Sequence, residues 1–255
     1  MEQAAMTHIG LVRQVNEDGY ALLLDTHPYR VVMVADGMGG HRAGEVASSV
    51  AIEEVESELR QRMKEGIPED VSPLELVTEA IQIANQAVYR RASSTPGCSG
   101  MGTTIVVALY DRKEVWLGFI GDSRAYLINK ESIRQLTDDH SLVNELVKSG
   151  QITAEEANNH PQRNILTRSL GTDLYVQVDT LHTPWVKDDI LLLCSDGLTN
   201  LISEEIIADV LRGEGTMESK LQQLVNLALQ KGGNDNITVV AVRNTDEDEE
   251  RGDGR

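Results

Sequence analysis

The sequence predicts an α+β fold in which antiparallel β-sheet forms the centre and helices cover it. Seven short β-rich runs occur along the chain, and several are joined by only a few turn residues, such as "DRK" and "NKES". Connections this short indicate antiparallel hairpins. The strands are apolar enough to require cover on both faces, whereas the helical segments each have one apolar face. A central sheet with helices outside satisfies both requirements.

The strands are predicted where β-branched and other apolar residues cluster between turn signals. In chain order, these runs are "YALLLD", "RVVMVAD", "TTIVVALY", "EVWLGFIG", "RAYLIN", "DILLLCS" and "ITVVAVR".

Three helices are predicted from apolar stripes with a spacing of three to five residues. The stripes lie within residues 46–63, 74–88 and 217–228. Segment 141–163 has little core-forming pattern beyond one short helix, so it is predicted to be a surface insertion, or flap. We expect a single folded catalytic domain over 1–243, followed by an acidic, disordered tail over 244–255.

Charge and cysteine content exclude several classes of protein. The formal net charge is −18, with 41 acidic and 23 basic residues, which argues against a nucleic-acid or anionic-membrane surface. Cys98 and Cys194 are too few for a disulfide framework or a thiolate metal site. The apolar runs are too short to cross a bilayer, and the N-terminus lacks a signal-peptide pattern. We therefore expect a cytoplasmic protein.

Aspartates recur at or near the ends of apolar runs. They are Asp36 in "VVMVADGMGG", Asp122 in "LGFIGDSRAY", Asp196 in "LLLCSDGLTN" and Asp235 in "GGNDNITVVAV". One such aspartate is explained by turn chemistry, but four indicate a shared site. Carboxylates are hard oxygen ligands, which suit Mg²⁺ or Mn²⁺ and not structural zinc.

The early stretch "GLVRQVNEDGY" places Arg13 shortly before Glu17 and Asp18. Alone, an arginine here is most simply a surface ion-pair residue. An arginine beside a carboxylate cluster that binds two metal ions points instead to phosphoryl chemistry, because guanidinium binds phosphate through two parallel hydrogen bonds.

Taken in order, these stretches resemble the motifs of bacterial PPM/PP2C-type protein serine/threonine phosphatases. The matching stretches, which run from about residue 7 to 243, are "RQVNEDG", "VADGMGGHRAGEVAS", "GTT", "GDSRAYL", "LTDDHS", "RNILTRSLG", "LLLCSDGLTN" and "GGNDNITVVAV". The resemblance implies a four-layer α-β-β-α sandwich, with two central antiparallel sheets flanked by helices. It also implies hydrolysis of phosphoserine and phosphothreonine on proteins by a hydroxide held between two Mn²⁺ or Mg²⁺ ions.

The resemblance also implies roles for individual metal ligands. Asp36 would bridge the two ions, and the carbonyl of Gly37 would contact one of them. Asp196 and Asp235 would complete the shell of the other ion.

Further residues match the family motifs with more specialised roles. Glu17 and Asp18 match an acidic pair near the second ion, and the sequence leaves open which of them contacts it directly or through water. Asp122 would join Asp196 at a third, weaker metal position. Arg13 would bind the phosphate.

The proton donor to the leaving oxygen is less clearly specified. Met38 occupies the position at which eukaryotic members carry histidine directly after Asp-Gly. His41 resembles a histidine of the bacterial branch and is the candidate general acid, although a metal-bound water could serve. An equally simple interpretation is that His41 only caps the helix beginning near Ala43.

Alternative functions are weighed against the same motifs. "CSGMGTT" and "CSDGLTN" lack the arginine that a cysteine-dependent phosphatase needs, and no nucleotide-binding phosphate loop or kinase motif set occurs. A pseudophosphatase that binds phosphoproteins without turnover remains a hypothesis, as does a phosphatase dedicated to one signalling factor. The expected partners are phosphorylated proteins and a cognate Ser/Thr kinase, and the expected state is a monomer.

Overall fold

The computed structural model describes residues 1–39 and 43–245. Its strands are β1 (Glu2–His8), β2 (Asp18–Leu23), β3 (Arg30–Met38), β4 (Gly102–Thr103), β5 (Ile105–Tyr110), β6 (Glu114–Ile120), β7 (Arg124–Ile128), β8 (Ile133–Gln135), β9 (Asp179–Pro184), β10 (Ile190–Cys194) and β11 (Ile237–Arg243). Its helices are α1 (Ala43–Glu65), α2 (Pro73–Ser94), α3 (Leu142–Lys148), α4 (Ala154–Asn158), α5 (Asp196–Thr199), α6 (Glu204–Arg212) and α7 (Met217–Gln230).

The strands form two antiparallel sheets. One has the order β1-β11-β10-β7-β8, and the other has the order β2-β3-β5-β6-β9 with β4 beside β3. All seven strands and all three helices predicted from the sequence are present within these elements.

The hydrophobic core has three layers because successive side chains of a strand point to opposite faces. On β3, Val32 and Val34 belong to the cluster between the two sheets, together with Val240 and Val242 of β11. The alternate residues of β3 pack with α1 and α2 on the outer face. A third cluster lies between the other sheet and helices α5 to α7. The predicted α-β-β-α sandwich is therefore confirmed.

Local sequence signals explain how the long helix α2 begins. Pro73 occupies the first turn, and Ser72 accepts a hydrogen bond from the backbone N–H of Glu75 at 3.2 Å. The Glu75 carboxylate accepts in return from the backbone N–H of Ser72 at 2.8 Å. This capping box satisfies two donors that the helix itself cannot pair.

Several elements were not predicted. They include the edge strand β1, the short strands β4, β8 and β9, and helices α5 and α6. The flap segment contains two short helices, α3 and α4, where one was predicted. Asn244 is buried, and its backbone N–H donates to Asp189 at 2.9 Å, so this residue belongs to the folded domain and not to the predicted tail. Residues 246–255 of that tail lie outside the described residues.

A search of the described residues for a membrane-spanning helix found none that is sufficiently long and apolar.

Candidate active site

The predicted site residues converge on a pocket of about 640 Å³ at one edge of the two sheets. Those that line it are Arg13, Glu17, Asp36, Gly37, Asp122, Asp196 and Asp235. Asp18 lies beneath the pocket, buried against the same cluster. His41, the candidate general acid, lies outside the described residues. The structure thus gathers side chains that are as much as 222 positions apart in the sequence.

Strand pairing places the first two aspartates. Asp18 and Asp36 are direct partners across the antiparallel pair β2–β3. The two threonines of "GTT" then fix the backbone of Asp36: Thr103 Oγ1 and the Thr104 backbone N–H both donate to its carbonyl at 2.9 Å. Thr104 Oγ1 accepts from the Asp36 N–H at 2.9 Å. Together these two threonines hold the Asp36 backbone at the pocket.

Asp196 begins the short helix α5, directly after β10. The preceding Ser195 donates from Oγ to Asp18 Oδ2 at 2.8 Å and accepts from the Thr238 N–H at 3.0 Å, which links three strands. Asn200 donates to Asp196 Oδ2 at 2.9 Å. These contacts orient both carboxylates toward one cluster.

Asn236 holds the N-terminal loop against the site. Its Oδ1 accepts from the backbone N–H of Glu17 at 2.8 Å, and its Nδ2 donates to the carbonyls of Ile9 and Val15 at 2.9 and 3.1 Å. Next to it, Asp235 Oδ2 accepts from Arg13 Nη2 at 2.7 Å. The arginine therefore extends into the pocket from a loop that is fixed at three points.

Burial and mutual repulsion raise the pKa values of the central carboxylates. The pKa of Asp36 is raised well above its ordinary value by burial and by Asp18, Asp196 and neighbouring carboxylates. Burial and the charge of Asp196 raise the pKa of Asp122 to about 8. Burial is also the main cause for Asp18, whose pKa rises to about 7. Without a cation these carboxyl groups therefore tend to retain protons near neutral pH, because ionising all of them would place several negative charges where little water can screen them.

Three buried carboxylate oxygens have no hydrogen-bond partner in the described part of the chain: Glu17 Oε1, Asp18 Oδ1 and Asp196 Oδ1. Gly44 lies close enough for its N–H to lower the pKa of Glu17 somewhat, against the larger effect of burial, but this does not provide Oε1 with a well-formed hydrogen bond. Buried unpaired acceptors are costly. Divalent cations would satisfy them, so this donor set fits Mn²⁺ or Mg²⁺.

Among residues 1–39 and 43–245, no group of three or more acidic, histidine or cysteine side chains is arranged to enclose a single ion. Ions bound here would therefore need additional oxygens from backbone carbonyls and water. Such mixed shells are usual for Mg²⁺, which retains several waters when it binds to proteins.

Gly37 is sterically required at this site. A Cβ built on Gly37 would lie 2.1 Å from the Gly44 carbonyl oxygen and 2.6 Å from that of Glu17. Both are backbone atoms, so relief requires the β3 end and the start of α1 to separate.

Gly37→Ala is therefore expected to destabilise the protein by about 2–3 kcal/mol. It should also reduce turnover, because the Glu17 loop moves. Urea denaturation measures the first effect. Gly19→Ala is the matched control, since the nearest atom to its Cβ would be in the Ile52 side chain, at 3.3 Å, and Ser48 would lie at an ordinary contact distance of 3.7 Å. Equal stability of the two variants would contradict the steric argument.

His140 belongs to the site region although no sequence pattern marks it as a site residue. It is buried; its Nδ1 accepts from the Gly121 N–H at 3.1 Å, and its Nε2 lies 3.2 Å from Asp179 Oδ2. Arg168 donates to the other oxygen of Asp179 at 2.7 Å. His140 thus ties the turn before Asp122 to the segment after the flap. No local signal reveals this, because the contacts are between residues distant in sequence.

Comparison with known proteins identifies the family. Residues 11–238 match the family described as Protein phosphatase 2C. The chain is 40% identical over 236 residues to the serine/threonine phosphatase stp of Listeria welshimeri serovar 6b, covering 92% of this chain and 93% of that protein. It is 39% identical over 258 residues to the protein phosphatase PhpP of Streptococcus pneumoniae, covering 98% and 100% respectively.

Solved structures agree. The serine/threonine phosphatase Stp1 from Staphylococcus aureus superposes with a TM-score of 0.89 at 40% identity, covering 95% of this chain and 94% of that chain. The catalytic domain of the phosphatase PstP, solved in complex with two manganese ions, superposes with a TM-score of 0.81 at 34% identity, covering 94% and 96%. The chain therefore belongs to the metal-dependent protein phosphatase 2C family and is a bacterial-type protein serine/threonine phosphatase.

Proposed function

We propose that this phosphatase uses two Mn²⁺ or Mg²⁺ ions, held by the aspartate cluster, to hydrolyse phosphoserine and phosphothreonine on proteins. The observation that carries the proposal is a set of three buried carboxylate oxygens that no described residue pairs, next to an arginine in a pocket of about 640 Å³. The site combines buried carboxyl groups, whose ionised forms require cations, with a guanidinium able to bind a phosphoryl group.

Each ligand has a proposed place. Asp36 would bridge the ions, the Gly37 carbonyl would contact one, and Asp196 and Asp235 would hold the other. The ions would supply an activated water nucleophile and would neutralise the phosphoryl oxygens.

The acidic pair and Asp122 complete the proposed ligand set. Glu17 lines the pocket, whereas Asp18 lies beneath it and accepts from Ser195, so we propose that Glu17 is the more accessible ligand at the second ion. Asp122 would hold a third ion together with Asp196.

Arg13 is the proposed phosphate-binding residue. Its side chain is 47% exposed, so it remains accessible to substrate, while its contact with Asp235 limits the positions it can adopt. A planar guanidinium oriented in this way is suited to paired hydrogen bonds with two phosphoryl oxygens.

Arg13→Ala is expected to lower kcat/KM for a phosphothreonine peptide by roughly 10- to 100-fold, because a hydrogen bond to a charged group contributes about 1.5–3 kcal/mol. Arg13→Lys should recover only part of this loss, since lysine lacks the two parallel N–H donors of the guanidinium group. Steady-state kinetics with both variants measures the effect. Arg90→Ala is the control, as Arg90 is exposed on α2 and contacts Gln86. Unchanged kcat/KM in Arg13→Ala would remove the assignment.

His41 is the proposed general acid for the leaving oxygen. If it donates this proton, His41→Ala should slow esters with poor leaving groups by roughly 100-fold or more and leave those with acidic leaving groups nearly unchanged. A series of aryl phosphates of graded leaving-group pKa measures the dependence. The same slope in wild type and variant would assign the proton to another donor.

The cellular setting is proposed on the same basis. The phosphatase would oppose a bacterial Ser/Thr kinase and act on several phosphorylated proteins as a monomer. Cys98 and Cys194 are both free and buried, which fits a reducing cytoplasm.

The direct experiment measures phosphate release from a phosphothreonine peptide by metal-stripped protein titrated with Mn²⁺ or Mg²⁺. Activity should be absent without metal and should rise to saturation with it. Wild-type protein that binds the metals and the peptide without releasing phosphate would contradict the proposed use of the ions.

A further inference from the structure

A second cavity lies at the far end of the strands that carry the active-site aspartates. Its volume is about 250 Å³, and it is lined by Ile128, Asn129, Lys130, Asp188, Ile190, Leu211, Arg212, Gly213, Lys220 and Arg243. These residues lie at or beyond the ends of β7, β10 and β11 that are opposite to Asp122, Asp196 and Asp235. From Ile190 to Asp196 the distance along the strand is roughly 20 Å, at about 3.3 Å per residue.

The lining of this cavity is positively charged although the chain is strongly acidic, and we refer to it as the basic cavity. Four basic residues contribute to it, against one acidic residue, Asp188, whereas the whole chain carries a formal net charge of −18. Glu2 lies close enough to Lys220 to act on its charge from outside the lining. The cavity nevertheless retains an excess of positive charge, which favours an anion.

Two of the cations are not fully paired by the protein. Lys220 is only 4% exposed, and its Nζ donates to the Leu211 carbonyl at 3.0 Å, although an ammonium group has three donors. Burial, followed by repulsion from Arg243, lowers the pKa of Lys220. An anion between Lys220 and Arg243 would relieve that repulsion.

Arg243 pairs with Asp188, and one of its five N–H donors is buried without an acceptor among the described residues. Its Nη2 donates to Asp188 Oδ1 at 2.9 Å. Its Nε is buried and has no hydrogen-bond partner within the described ranges. An unpaired buried N–H of a charged group is costly, so an acceptor oxygen that reached it would be stabilising.

The remaining cations lie at the rim. Arg212 is exposed at the end of α6, and its Nε donates to the Asn129 carbonyl at 2.8 Å. Lys130 is 86% exposed and is 3.8 Å from Asp188 Oδ2. Both could approach a ligand from the solvent side without losing a buried contact.

We propose that this basic cavity binds a phosphate group, as the free dianion or as a phosphate monoester. At about 30 Å³ per water, its volume corresponds to roughly eight waters, which is enough for a phosphate headgroup. Drug-sized and nucleotide-sized ligands occupy larger pockets, of roughly 300–1,000 Å³. The tetrahedral dianion also matches the arrangement of a buried guanidinium N–H, a buried ammonium and a rim guanidinium. The proposal does not depend on the assignments at the active site.

The test uses the full chain in a chelating buffer, so that phosphorylated competitors are not hydrolysed and no metal holds phosphate at the active site. Inorganic phosphate is titrated while ¹H–¹⁵N NMR follows the Nε–H signal of Arg243. We expect a saturable shift with a Kd of roughly 1 mM or tighter. Arg243→Gln and the less intrusive Arg212→Gln are compared by isothermal titration calorimetry with Arg90→Gln, which removes the same charge on α2.

At least tenfold weaker phosphate binding in Arg212→Gln or Arg243→Gln, with wild-type binding in Arg90→Gln, would support the proposal. An unsaturable or absent shift at Arg243 would overturn it, as would equal weakening in all three variants. Turnover of a small aryl phosphate with Mn²⁺ present should persist in Arg212→Gln, which separates this cavity from the active site.

Two sources of the phosphate can be distinguished by competition at the Arg243 signal. If free phosphoserine binds as well as a doubly phosphorylated peptide, the ligand is a small phosphorylated molecule. If the doubly phosphorylated peptide binds at least tenfold more tightly than its singly phosphorylated form, the ligand is a second phosphorylated residue of a client protein. Both results require phosphate binding in the cavity.

Discussion

Replacing Asp36 by asparagine is expected to reduce phosphate release from a phosphothreonine peptide by roughly 1,000-fold or more, equivalent to about 4 kcal/mol of lost transition-state stabilisation. Asp36 lies at the centre of the cluster, and its pKa is raised by burial and by four neighbouring aspartates. It is the proposed ligand shared by both cations, so its loss weakens both positions at once. An asparagine oxygen carries no full charge and binds divalent cations more weakly.

The same variant should remain folded, which separates a lost ligand from a lost structure. Burial and neighbouring carboxylates make Asp36 costly to ionise in the absence of metal. Its replacement by a neutral asparagine of the same shape should therefore leave the metal-free protein at least as stable as the wild type. Asp25→Asn provides the matched control: the Asp25 side chain is 75% exposed and pairs with Arg60. Turnover by Asp36→Asn within tenfold of the wild-type value would contradict the bridging role.

In a chelating buffer, thermal stability is expected to fall as the pH rises from about 4 to 8. The folded-state pKa of Asp18 is about 7 and that of Asp122 is about 8, both raised mainly by burial. An unfolded aspartate has a pKa of about 4. Between these values the folded state retains protons that the unfolded state has lost. This stabilisation is fully present below the unfolded pKa and disappears as the pH rises through the folded pKa.

Saturating Mn²⁺ should reverse this loss, most strongly near pH 8, where the carboxylates are ionised. When the free Mn²⁺ concentration is one hundred times Kd, each bound ion adds about 2.7 kcal/mol to the free energy of unfolding. For a chain of this size, one such site raises Tm by roughly 5–11 °C. Differential scanning calorimetry at several pH values, with and without Mn²⁺, measures both effects. Asp122→Asn should flatten the metal-free profile, and a Tm that changes with neither pH nor Mn²⁺ would contradict the account.

The predictable parts of the fold were those encoded locally. Apolar runs bounded by turn residues identify the central strands, and apolar stripes identify α1, α2 and α7. Strand β1 was missed because "EQAAMTH" is only weakly apolar, and its pairing with β11 provides the stability. Helix α5, which begins at Asp196, was missed because its four residues are too few to show an apolar stripe.

In the candidate site, too, the local features could be predicted from the sequence and the long-range contacts could not. Aspartates at strand ends can be identified from the sequence, since each follows or precedes an apolar run. The contacts that orient them cannot be: His140 with Gly121, and Asn236 with the Glu17 loop, join residues far apart along the chain. The sequence also did not distinguish Glu17 from Asp18 as the residue closer to the second ion. The structure separates them, with Glu17 lining the pocket and Asp18 buried against Ser195.

The most direct test is anomalous diffraction at the manganese edge from crystals grown or soaked in Mn²⁺. If the aspartate cluster holds two ions, we expect at least two manganese peaks in the pocket. One peak should be coordinated by Asp36 with Asp196 and Asp235, and the other by Asp36 and the Gly37 carbonyl. Crystals of Asp36→Asn under the same conditions should lose both peaks or show them at much lower occupancy. Manganese that binds only elsewhere on the chain, with Asp36 making no metal contact, would contradict the account.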